Sequence, residues 1–150
     1  MIQLARFEVF QKKETVEKFQ PLIDHLKNCE PKQFLIELSE IQEWDRIRDD
    51  LYVWIPVLNR IDETLTSIIE KYGYKQKDAK TNAVKLICMD QEDIEKCVIM
   101  MEFTCRLLYN TENRYIYSSM DVMHTLLNSP NFEVKLCAIK ILAVMGERYL

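Results

Sequence analysis

Glycine is almost missing from this sequence, with 2 in 150 residues, and proline is scarce at 4. Sheets joined by tight hairpins depend on such residues in their turns, so their scarcity points to helices. Two isolated glycines also cannot build a phosphate-cradling loop or a dinucleotide-binding turn. An excess of basic charge is lacking too. A net charge of -4 leaves no concentrated basic face of the kind that nucleic acids and anionic membranes require, so neither is expected as a direct partner. Long apolar runs are absent, none approaching the roughly 20 residues that span a bilayer. The opening MIQLARFEVFQKK breaks its apolar residues with Arg6 and Glu8 and lacks the core of a secretory signal.

Chemistry-bearing patterns are equally sparse. The 2 histidines, His25 and His124, lie far apart, form no H-x-x-x-H pair, and are not read as paired with any cysteine at zinc-ligand spacing. They are expected to be structural or solvent-facing, and no metal or cofactor is expected. The 5 cysteines include no C-x-x-C pair, and Cys97, Cys105 and Cys137 fall on apolar helical faces, as small hydrophobes do in a reducing compartment. No G-x-S-x-G or local Cys/His signature offers a nucleophile with its base. The carboxylates of EWDRIRDD (Glu43, Asp45, Asp49, Asp50) alternate with Arg46 and Arg48, which points to a salt-bridged corner between helices rather than to acid/base catalysis. No catalytic residue is therefore assigned.

What is present is helical periodicity in a chain of single-domain length whose 48% hydrophobic content suffices for a core. Leu22, Ile23 and Leu26 follow Pro21. Pro31 opens a short helix with the stripe Phe34, Leu35, Leu38 and Ile41. Leu51, Trp54, Ile55, Leu58, Ile61, Leu65, Ile68 and Tyr72 keep helical spacing up to Gly73, a candidate C-cap, and Pro56 kinks that helix or marks its start. Residues 74–85, YKQKDAKTNAVK, have no clear period and are expected to form a long mobile loop. Asp90–Asp93 place negative charge at the start of a helix that is apolar on two faces, Ile94/Cys97/Val98/Met101/Cys105/Leu108 and Met100/Phe103/Leu107, and hence central.

In the loop 110–119, Arg114 can reach helix-end carbonyls, and Tyr115 and Tyr117 can pack inward. Trp44 and Trp54, with Tyr52 between them, are expected to be core staples rather than an exposed peptide-binding pair. A serine-capped helix of about two turns then leads to NSPNFEVKLCAIKILAVMGERYL, with Ser129 as N-cap, Pro130 at the first helical position and Gly146 as C-cap. Its buried face should carry Val134, Cys137, Ala138, Ile141, Leu142 and Met145.

A short helix, a Ser/Pro/Asn corner and a longer apolar helix make up the back half of an armadillo or HEAT-like repeat, clear once at 118–146. The expectation is an all-α, armadillo/HEAT-like α-solenoid segment. Residues 1–150 would form a single N-terminal armadillo-like domain, a fragment of a longer chain whose last helix leaves Ile141, Leu142 and Met145 partly exposed for a next repeat.

The strings PLIDHLKNC, EWDRIRDDLYVWIPVLNRIDETL and CRLLYNTENRYIYSSMDVMHTLLNSPNFEVKLCAIKILAVMGERYL resemble the extreme N-terminus of the giant HECT-type ubiquitin ligases, in particular the fungal branch. The resemblance runs from about Pro21 to Leu150, apart from the lysine-rich loop. It implies a noncatalytic scaffold that recruits protein substrates, including basic ones such as histones, in nucleus and cytoplasm, with mRNA export among the processes served. It places the catalytic cysteine, and the contact with the ubiquitin-conjugating enzyme, in a HECT domain outside these residues, so neither Cys29, Cys88, Cys97, Cys105 nor Cys137 inherits that role. The competing expectation is a freestanding armadillo-like adaptor or transport module that holds peptides on a concave face.

Overall fold

The structure, a computed structural model, describes residues 19–41, 50–75 and 84–147. Among them the chain is helical apart from one small hairpin. A helix through residues 19–28 (α1) is followed by α2 (Pro31–Glu40), a 3-10 turn (Leu51–Trp54) that runs into α3 (Ile55–Tyr72), strands β1 (Gly73–Lys75) and β2 (Val84–Leu86), α4 (Gln91–Asn110), a second 3-10 turn (Arg114–Ile116), α5 (Met120–Leu127) and α6 (Phe132–Glu147). Trp44 and five of the six charged residues of the EWDRIRDD corner lie outside the described residues.

α4 is the centre, as two apolar faces require. It packs against α2, α3 and α6, while α5 lies against α6 and α3. Cys97, Met100, Met101, Leu107 and Leu108 are sealed from solvent, and each large side chain so buried contributes about 1.5–3 kcal/mol. Trp54 is likewise fully buried, its ring 5.6 Å from that of Phe19 and 6.1 Å, edge-on, from that of Phe103. It is a core staple joining α1, α3 and α4, whereas Tyr52 stands in solvent.

Both prolines expected at helix starts sit there: Pro31 opens α2, and Pro56 occupies the first turn of α3, marking its start. The two glycines differ. Gly73 is the C-cap of α3, as expected, its amide donating to the Ile69 carbonyl, and it is extended (φ -83°, ψ 145°) because the chain passes directly from α3 into β1. Glycine is required there by crowding: an added Cβ would lie 2.6 Å from the Ile69 carbonyl oxygen and 2.8 Å from Val84 Cγ1. Gly146 lies inside α6, has no positive φ and has open space where a Cβ would be, so it caps nothing. The left-handed residue is Asn113 (φ 62°), ahead of the second 3-10 turn.

The start of α6 is shifted by two residues from the sequence expectation. Ser129 is buried, and its Oγ accepts from the Asn131 amide (3.2 Å), while the Asn131 carbonyl accepts the first helical bond, from Lys135. Asn131 Oδ1 accepts instead from the Met89 amide (2.9 Å), tying α6 to the approach of α4. Within the expected loop 74–85, Tyr74 pairs with Lys85 and Lys75 with Val84 in an antiparallel ladder; residues 76–83 lie outside the described residues.

Candidate interaction surface

α6 has two apolar rows, and among the described residues only one is covered. Val134, Cys137, Ala138, Ile141 and Met145 face α4 and α5 and are buried, so Ile141 and Met145, expected to be partly exposed, belong to the core; Leu142 is half-buried. The row that faces outward is Phe132, Leu136 and Ile139, 73%, 37% and 46% exposed, continued by Ala143. Their i, i+4, i+7, i+11 spacing makes one stripe. That spacing is legible in the sequence, but the stronger row beside it masked it.

The polar groups around this surface fix elements rather than converge on a cleft. Asp50 accepts from the Tyr52 amide (3.0 Å) and from Asn113 Nδ2 (2.7 Å), and Leu51 N donates to the Glu112 carbonyl (3.0 Å), which latches the start of α3 to the loop after α4. In that loop Arg114 Nη1 donates to the Val144 carbonyl in the last turns of α6 (3.2 Å), the role its position suggested. Tyr117 is buried, and Tyr115 projects outward. A second hub joins the end of α3 to the start of α4: Lys71 Nζ (2.8 Å) and Tyr72 Oη (2.6 Å) both donate to Asp93 Oδ2. The Lys71 ammonium and then the Tyr72 hydroxyl hold the Asp93 carboxyl below its ordinary value, and the same bond pushes the Tyr72 phenol up.

Three of the five thiols behave as apolar groups. Burial pushes Cys97 up to about 12 and Cys137 to about 11, and raises Cys105, which keeps all three protonated and unreactive. Among the described residues one titratable cluster stands apart, at the corner of α1 and α2. His25 Nε2 donates to Glu37 Oε1 (2.8 Å) and lies 2.7 Å from Oε2, and Cys29 Sγ completes a group whose atoms lie within 4.8 Å of one another. Burial works against the Glu37 charge, but hydrogen bonds from Gln33 and His25 hold its carboxyl below the usual range. From α3, Arg60 donates to the Leu26 carbonyl (2.6 Å), the Cys29 carbonyl (2.5 Å) and Cys29 Sγ (3.7 Å), with its guanidinium 4.3 Å over the Phe34 ring. The sequence reading expected a structural or solvent-facing His25; the partner it did not supply is Glu37, which comes from the next helix.

The described residues form a helical domain with one apolar stripe facing outward. Comparison with known proteins shows what this domain is similar to. Residues 92–150 match the family model described as Domain of Unknown Function (DUF908). All 150 residues align, at 49% identity, with 5% of the length of the E3 ubiquitin-protein ligase TOM1 of Saccharomyces cerevisiae. The E3 ubiquitin-protein ligase HUWE1 of Mus musculus is 30% identical over 130 residues, 85% of this chain and 3% of that protein, and ptr1 of Schizosaccharomyces pombe is 37% identical over 92 residues, 61% of this chain and 3% of that protein. The chain is thus similar to a segment of these E3 ubiquitin-protein ligases, and spans about a twentieth or less of their length.

Proposed function

We propose that the chain is a noncatalytic scaffold segment at the N-terminal end of a HECT-type ubiquitin ligase, and that its helices begin an armadillo/HEAT-like solenoid. The observation that carries this reading is the outward row Phe132, Leu136, Ile139 on a helix whose other row is already packed. Isolated exposed apolar residues are ordinary, but a continuous helical stripe suits a neighbouring helix. The occupant we assign is the next helical pair of the same ligase chain, because the relative from Saccharomyces cerevisiae is about twenty times as long as the matched region. In a solenoid each unit is covered by its neighbour, and such a frame gathers substrates for a catalytic cysteine carried elsewhere. The proposed clients are proteins, basic ones such as histones among them, and the proposed compartments are nucleus and cytoplasm.

An immunoblot of native extract with an antibody against residues 1–150 should show a protein many times heavier than 18.0 kDa. A band near that mass would favour the freestanding adaptor. In the heavy protein, deleting residues 1–150 should leave the ubiquitin thioester on the HECT cysteine intact while ubiquitination of substrates falls; loss of the thioester itself would overturn the noncatalytic assignment.

A further inference from the structure

We infer that His25, Cys29 and Glu37 form a binding site for a thiophilic divalent cation, with Zn2+ the best match to the donor set. Cys29 directly follows α1, and its amide donates to the His25 carbonyl (2.9 Å), which sets its side chain one helical turn from that of His25. Glu37 reaches the same point from α2, so the three donors, N, S and O, come from two helices across the tight corner at Glu30 and Pro31. One thiolate, one imidazole and one carboxylate with a fourth position left to water is a donor set that zinc accepts.

The geometry needs little change. A tetrahedral ion with bonds of roughly 2.0–2.3 Å holds its ligand atoms about 3.3–3.8 Å apart, and the three donor atoms already lie within 4.8 Å of one another. Glu37 Oε2 is enclosed, with His25 Nε2 2.7 Å away. A cation in place of the proton that His25 and Glu37 now share would satisfy both groups.

Arg60 supplies the outer support. It grips the carbonyls of Leu26 and Cys29, which fixes the end of α1, stacks on Phe34 of α2, and directs an N–H at the Cys29 sulfur. Its positive charge is no obstacle, since a divalent ion with one thiolate and one carboxylate is neutral overall. The bound ion would clamp α1 to α2.

The test is titration of the purified, chelator-treated 150-residue chain with Co2+ followed by Zn2+. A thiolate-to-cobalt charge-transfer absorbance should develop at one equivalent and be bleached by zinc. It should be absent in Cys29→Ser, unchanged in Cys88→Ser, and shifted to at least about tenfold weaker binding in His25→Ala and Glu37→Gln. Helicity by circular dichroism confirms that each variant folds, which the half-exposed positions favour, and X-ray absorption of the zinc form of the unaltered chain should read one sulfur with nitrogen and oxygen neighbours. No charge-transfer band in the unaltered chain, its persistence in Cys29→Ser, or wild-type affinity in His25→Ala would overturn the site.

Discussion

Asp93 shows how one side chain can join two helices. Its carboxylate is nearly enclosed, receives Lys71 and Tyr72 from the end of α3, and sits in the first turn of α4, where backbone N–H groups favour negative charge. Because the Lys71 and Tyr72 bonds hold its folded pKa below the unfolded value of about 3.9, the stability it contributes is present above that value and is lost as pH falls through the folded one. Asp93→Asn keeps the shape and removes the charge, and should cost on the order of 1.5–3 kcal/mol near pH 7. Urea unfolding at pH 7 and at progressively lower pH checks this: the gap between the two proteins should narrow towards pH 3. A constant gap would mean that packing, not charge, makes the difference.

At the scale of elements, the two glycines predict opposite outcomes. Gly73→Ala forces a Cβ against a backbone oxygen of α3 and a methyl of β2, which cannot both yield, and should destabilise by roughly 1–3 kcal/mol. Gly146→Ala fills open space inside α6 and should stabilise by roughly 0.5–1 kcal/mol, through helix propensity and a less free unfolded chain. Thermal unfolding of the pair checks both signs at once. The helices and most of their buried rows were legible in the sequence because the 3.6-residue period and the prolines at first turns are local signals: Phe34, Leu38, Leu65, Ile68 and Cys97 lie where their spacing puts them. The role of Gly73 was not legible, since it depends on Val84 returning across a hairpin. Nor was the displaced cap at Ser129, since Asn131 is drawn away by the Met89 amide 42 residues earlier in the chain. The α1–α2 corner divides in the same way: the interval between His25 and Cys29 is in the sequence, but Glu37 and Arg60 arrive only through tertiary packing.

At the scale of the whole molecule, the helices enclose one core around α4 and still leave an apolar stripe outside it. If that stripe is an interface, its residues contribute little to the stability of this chain and much to what the chain associates with. Replacing Leu136 and Ile139 together by Asp should leave the unfolding midpoint of the 150-residue chain within the range of ordinary surface changes, about 0.5 kcal/mol per site, while reducing self-association in sedimentation. In a longer protein of the proposed kind, the same pair should open new protease cleavage sites beside α6 and lower substrate ubiquitination, because a buried contact between neighbouring units would then contain two unpaired carboxylates. The decisive comparison is between the two settings. Loss of stability in the short chain would place the stripe in its own core, whereas an unchanged longer protein would show that nothing docks there. Only a variant harmless alone and damaging in the long chain fits a stripe built for a neighbour.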